Sequence, residues 1–224
     1  HLTHGHKVNF SGRFYRAVQY HVDPKTGLLD YDAIEALAKQ EKPKLIVSGL
    51  TSYPRTLDFK RFGEIAKSVG AYHVADVSHI AGLILAHAHP SPFPHADAVM
   101  MTTHKTLAGT RGALIFGRKS QIANRLSTRD LPKGDKSQIT MTVAEAIDRA
   151  IFPGGQGGPH MNAIAGHAQA LYEAQTPAFT NYGKQIVKNA KALAAALLAH
   201  DATLVTGGTD NHLMVLDVRP WNLD

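Results

Sequence analysis

"AVMMTTHKTLAGTRGALIFG", Ala98 to Gly117, reads as two continuously apolar strands, AVMMTTHK and GALIFG, joined across the short stretch TLAGTR. So short a connection favours an antiparallel pair. Working outward, KLIVSGL (44–50) and AYHVADV (71–77) are apolar strands of the same kind. Strands without polar alternation are expected to be buried on both faces, in a sheet covered by helices. The segments between them carry the helical period. Ile34, Leu37 and Ala38 follow an Asp30 or Asp32 cap and stop before Pro43. Phe59, Phe62, Ile65, Ala66 and Val69 follow Asp58 and end at Gly70. Strands alternating with helices give an α/β fold with a mostly parallel mixed sheet.

Downstream, Arg118 to Asp148 is polar and charged, with DLPKGD as a loop. Helical patterning returns at VAEAIDRAIF, breaks at FPGGQGGP, and resumes from about Met161 to Gln175 and from about Pro177 to His200. Strands near ATLVT and HLMVLDV then begin a separate unit. The expected division is a large domain over 1–176 and the start of a smaller C-terminal α/β domain over 177–224. The chain opens at His1 without a methionine and stops just after a strand, so both ends read as cuts through a longer protein.

Composition narrows the function classes. With 44% apolar and 19% charged residues over 224 positions, the chain can bury a sizeable core. The net charge of +6 is spread along the sequence, with no basic block interleaved with aromatics, so no nucleic-acid partner is expected. There are no cysteines, which excludes disulfides and thiolate metal sites and suits a reducing, cytoplasmic location. The longest apolar run, ALAAALLA (192–199), is too short to span a bilayer, so no membrane partner is expected. Fourteen histidines raise a metal-binding alternative, but the spacing of His1, His4 and His6 lacks carboxylate or cysteine companions. The expected metal set is none.

In an α/β sheet, reactive side chains gather beyond the carboxyl ends of the strands. Asp76 stands at that end of AYHVADV and Lys105 at that end of AVMMTTHK, on different strands that could face one crevice. One reading is structural: the two form an ion pair, or Asp76 caps the following turn. The other is chemical. A lysine in a dry pocket can form a Schiff base with an aldehyde, and an aspartate can keep a pyridine nitrogen protonated. Those are the two protein groups that pyridoxal phosphate (PLP) chemistry most needs. His79 falls on the adjoining turn, near the same crevice.

Five segments in order, HLTHG, ADVSHIAGLI, TTHKTLAGTRGA, FPGGQGGP and GGTDNHL, together resemble serine hydroxymethyltransferase, a PLP enzyme of the aspartate-aminotransferase fold type. The resemblance runs from His1 to Asp217. It implies the large domain of PLP-dependent transferase fold type I. It also implies reversible transfer of a hydroxymethyl unit between serine and glycine, with tetrahydrofolate as carrier and cosubstrate. By this resemblance Lys105 carries PLP as a Schiff base, Asp76 partners the pyridine nitrogen, and His79 lies near the cofactor's phenolic oxygen and the substrate. His1 would stack on the pyridine face and Thr51 would bond the phenolic oxygen. Thr102 and His104 would line the site, and Arg111 follows the lysine loop. Leu2, Thr3 and Gly5 would border the folate pocket. Gly157 and Gly158, whose amides could form an anion nest, would reach the cofactor phosphate of a neighbouring subunit, so a homodimer is implied.

The chain departs from the family pattern in three ways. Thr110 and Ala113 stand where the family usually has Pro and Gly. The stretch between FGRKS and AIFPGG is longer than usual. Only about half of the family's chain is present, which makes this polypeptide a candidate inactive piece of an active parent. Rival readings are another PLP enzyme, such as a threonine aldolase or aminotransferase, and a non-catalytic relative that keeps the fold. Neither of the rival enzymes would carry FPGGQGGP with HLTHG.

Overall fold

The structure, a computed structural model, describes residues 5–119 and 141–223. The first regular element is a short helix α1 (Phe10–Phe14), capped by Asn9, whose side chain accepts from the Gly12 amide. α2 (Tyr31–Glu41) begins at Asp30, whose carboxylate accepts from the Asp32 and Ala33 amides. Asp30 is thus the cap, and Asp32 lies inside the first turn, where a negative charge suits the helix dipole. After β1 (Leu45–Ser48), α3 (Phe59–Ser68) starts at Asp58, which accepts from the Arg61 amide. β2 (Tyr72–Asp76), a short helix α4 (Ala81–Leu85), β3 (Ala98–Thr102) and β4 (Ala113–Gly117) follow.

The four strands form one sheet in the order β1-β2-β3-β4. β1 pairs parallel with β2, and β2 parallel with β3, while β4 returns antiparallel to β3. The mixed, mostly parallel α/β sheet expected from the strand pattern is therefore present. The expectation of burial on both faces is not met. Residues of one face, among them Ile46, His73, Ala75, Val99 and Met101, are buried. The opposite face, carrying Val47, Val74, Asp76, Met100 and Thr102, is only half-buried, and β4 is more exposed still. α2 packs on α3, and α3 on β1 and β2. Phe62 and Ile65 of α3 are fully buried there, each contributing roughly 2 kcal/mol of apolar burial. Phe62 stacks on His73 at 5.9 Å.

Beyond the segment not described, α5 (Val143–Ile151) opens with a capping box in which Thr142 and Glu145 satisfy each other's amides. α6 (Met161–Glu173) and α7 (Pro177–Ala199) follow, with Thr176 capping α7. The stretch that is longer than usual in the family lies mostly outside the described residues. β5 (Thr203–Val205) and β6 (Val215–Asp217) make a separate antiparallel pair, shorter than the sequence suggested. That pair is fastened to the loop after β1. Arg55 bonds Asp210 at 3.0 Å, Asn211 Nδ2 donates to the Tyr53 carbonyl at 2.9 Å, and the Asp210 amide donates to the Pro54 carbonyl at 2.7 Å. Among the described residues no helix is long and apolar enough to cross a membrane.

Candidate active site

The carboxyl ends of β1, β2 and β3 meet at one edge of the sheet. Asp76 is the last residue of β2 and pairs with Met100 of β3. Its Oδ1 accepts from the Ser78 amide at 3.0 Å and from the Ser78 hydroxyl at 2.5 Å. Asp76 therefore does cap the turn that follows it, as the structural reading held. Its side chain shares the half-buried face of the sheet with Thr102.

β3 ends at Thr102, three residues short of Lys105, and the chain leaves the ladder through Thr103, His104 and Lys105. Thr103 is buried and pins this turn: its amide donates to the Gly112 carbonyl at 3.0 Å and its hydroxyl to the Thr110 carbonyl at 2.6 Å. The Lys105 amine meets His79 Nε2 at 3.1 Å. Lys105 is exposed among the described residues.

His79 sits on the turn between β2 and α4, where the Thr106 hydroxyl donates to its carbonyl at 3.1 Å. Burial, and then the positive charge of Lys105, hold the imidazole below its ordinary value, while Asp76 pulls weakly the other way. Where Lys105 donates in this contact, His79 Nε2 accepts and the ring carries its proton on Nδ1. The cluster thus holds an amine, a neutral base in hydrogen-bond contact with it, and a carboxylate on the adjacent strand.

The remaining predicted residues are distributed around this centre. Gly49 has φ of +121°, and a Cβ there would lie 1.9 Å from the Asp76 carbonyl oxygen, so the loop after β1 crosses directly over the end of β2. Thr51 lies two residues further along that loop and is half-buried. Arg111 approaches His104 Nε2 at 3.4 Å. Gly5 has φ of +88° and its amide donates to Ser11 Oγ at 2.8 Å. Gly157 and Gly158 stand in an exposed loop where a Cβ would meet nothing within 4 Å. His1, Leu2 and Thr3 lie outside the described residues. Among the described residues no group of three or more His, Cys, Asp or Glu could hold a metal ion.

The lysine loop is also docked onto α6. Thr110, where the family pattern has Pro, donates its hydroxyl to the Ala163 carbonyl at 2.9 Å. Gly166 makes that approach possible, since a Cβ there would lie 2.3 Å from Thr110 Cγ2. Sequence reasoning named Thr110 only as a departure; its partner is more than fifty positions away and left no local signal.

The whole described segment and the rest of the chain, residues 1–224, match the family model described as serine hydroxymethyltransferase. The chain belongs to the serine hydroxymethyltransferase family. It is 51% identical over 219 residues to "Serine hydroxymethyltransferase 2" of Mesorhizobium japonicum, covering 98% of this chain and 48% of that protein. It is also 51% identical over 223 residues to "Serine hydroxymethyltransferase" of a Marinomonas species, covering 100% of this chain and 48% of that one. The chain thus spans about half the length of these relatives.

Serine hydroxymethyltransferases depend on PLP, and the residues present here fit such a group. Lys105 supplies an exposed amine next to a neutral histidine. Thr102 Oγ1 and His104 Nδ1 are buried and have no hydrogen-bond partner. Each such orphan costs about 1–3 kcal/mol unless water or a ligand satisfies it. Both belong to the segment that leads into Lys105, and unsatisfied polar atoms there fit a polar ligand.

Proposed function

We propose that the full protein transfers a hydroxymethyl unit reversibly between serine and glycine, with tetrahydrofolate as carrier, and that Lys105 is the residue that holds PLP. The observation that carries this reading is the 3.1 Å contact between the Lys105 amine and His79 Nε2, at a strand end next to Asp76. PLP supplies an aldehyde that condenses with amines and a pyridine ring that takes up the electrons of a bond broken at the substrate's α-carbon.

The roles of this chain's residues follow from their chemistry. His79, held below its ordinary value by burial and by the nearby charge, is placed to accept a hydrogen bond from the Lys105 amine and orient it. Asp76 is the carboxylate that would hold a proton on the pyridine nitrogen. Thr102 and His104 offer their unpartnered polar atoms to the bound molecule, and Arg111 orients His104. Thr51 would bond the phenolic oxygen from the loop over β2, and His1 would stack on the ring. Leu2, Thr3 and Gly5 would border the folate. Gly157 and Gly158 would offer their amides to the phosphate of a partner subunit in a homodimer; the open space around both glycines is consistent with a contact made outside the subunit. Residues 1–176 would form the cofactor-bearing domain, and 177–224 the beginning of a second domain, to which the separate β5–β6 pair belongs.

The test uses the full-length protein loaded with PLP. Borohydride reduction followed by peptide mapping should place the label on Lys105, and Lys105→Ala should abolish the visible absorption band. A band that survives Lys105→Ala unchanged would sink the assignment. Serine cleavage should depend on added tetrahydrofolate; cleavage indifferent to folate would point to an aldolase, and no cleavage to a non-catalytic relative.

A further inference from the structure

We propose that Ser78 is a positioning residue that sets the Asp76 carboxylate and the lysine-bearing end of β3 in fixed relation to each other. The proposal rests on the reading of Asp76 and Lys105 given above, and Ser78 itself touches neither the cofactor nor the substrate in it.

Ser78 is 4% exposed, and its hydroxyl has three neighbours. Oγ lies 2.5 Å from Asp76 Oδ1, 3.5 Å from Met100 Sδ, and accepts from the Thr102 amide at 3.1 Å. The hydroxyl has one proton to give. A thioether is a weak acceptor and the longer contact, so the proton goes to the carboxylate. With the Ser78 amide also donating to Oδ1 at 3.0 Å, one carboxylate oxygen is held by two donors from a single residue. The terminal torsion of aspartate is otherwise broad, so this pair of bonds selects the plane in which the carboxylate faces the crevice.

The other half of the argument is the strand end. The β2–β3 ladder runs to Asp76↔Met100, and the Val77 amide still donates to the Met100 carbonyl at 2.8 Å. Beyond that point the backbone of β2 turns away, and the side-chain oxygen of Ser78 provides the acceptor for Thr102. The hydroxyl therefore continues the ladder by one rung with a side chain in place of backbone. Lys105 hangs from Thr102 by only three residues, so the same oxygen that orients Asp76 also anchors the segment that carries the amine. Removing it takes one of these two donors from the carboxylate and leaves the Thr102 amide without that acceptor.

The experiment compares full-length, PLP-loaded wild type with Ser78→Ala, Ser78→Cys and Asp58→Ala. Cysteine fills the space with a weak donor and acceptor, which keeps the variant informative if alanine does not fold. Asp58→Ala removes the α3 cap, on the far side of the sheet, and serves as a stability-matched control. Circular dichroism and Tm establish folding, fluorescence titration gives the Kd for PLP, and steady-state kinetics separate kcat from KM for serine. Both Ser78 variants should bind PLP about tenfold more weakly and lose about tenfold in kcat with KM within twofold, as expected for hydrogen bonds to a charged group. Asp58→Ala should match wild type in both. If the Ser78 variants keep Kd and kcat within twofold of wild type, or Asp58→Ala shows the same losses, the positioning role is wrong. Wild type that takes no borohydride label at Lys105 would overturn the underlying reading as well, and so marks that failure apart from failure of the Ser78 role alone.

Discussion

Gly49→Ala is the substitution whose outcome depends most directly on the geometry of the site. An alanine Cβ at this position would stand 1.9 Å from the Asp76 carbonyl oxygen and 2.8 Å from its carbonyl carbon. Ordinary contact begins near 3.4 Å, so the two backbones would have to part by about 1.5 Å. The position also has φ of +121°, which a residue with a Cβ adopts only at a cost of about 1–3 kcal/mol. Crowding a packed position adds about 1–3 kcal/mol more. The expected loss is therefore about 2–6 kcal/mol, and part of it is relieved by moving Asp76, so PLP uptake should fall together with stability. Denaturant unfolding of the full-length protein gives the first quantity and PLP titration the second. Gly155→Ala provides the contrast, because its Cβ would meet nothing closer than 3.6 Å; it should change stability by no more than about 0.5 kcal/mol. A Gly49→Ala protein within 1 kcal/mol of wild type, taking up PLP normally, would refute the close crossing of the β1 loop over β2.

Two further outcomes follow from buried polar groups. His73 donates from Nδ1 to the His95 carbonyl at 3.0 Å and accepts from Ser48 at Nε2, 2.7 Å away, so it is folded as a neutral ring; burial is the main cause that holds it below its ordinary value. A lowered folded value means that the stability it contributes is full above the unfolded value near 6.5 and is lost as pH falls through the folded one. Urea midpoints should therefore decline from pH 7.5 towards pH 5, with a shallower decline in His73→Gln; equal slopes would refute the assignment. Asn211→Ala removes the donor to the Tyr53 carbonyl and the acceptor at 3.0 Å from the Leu213 amide, in a residue 1% exposed. It should cost about 2–4 kcal/mol by thermal unfolding, and loosen β5 and β6 from the loop after β1.

Much of the fold could be read along the chain because its causes are local. Asp58 caps the helix that follows it, Pro43 and Gly70 stand where helices have ended, and the apolar runs became strands in the expected mixed sheet. The short helices α1 and α4 were not read: at five residues each they are too short to show a period, and α4 has no side-chain cap. The choice between Asp30 and Asp32 as cap was open until backbone geometry decided it. Apolar composition reports what a strand can bury; among the described residues the face that meets α3 is the buried one.

The candidate site divides in the same way. Lys105, Asp76, His79, Thr102 and His104 were legible as residue types at strand ends and in motifs, since the chemistry a side chain can do is a property of the residue. Which of them meet was decided only by the register of β2 against β3. That register brings His79 to Lys105, and Ser78 to Thr102, across separations of more than twenty residues, while the contact of Ser78 with Asp76 is local. Ser78 lay in plain view inside ADVSHIAGLI without a role, because a hydroxyl becomes a bridge only when pairing puts an acceptor and a donor on either side of it. Sequence determined which groups are available; tertiary structure, through strand pairing and the packing of helices, determined their distances and their exposure.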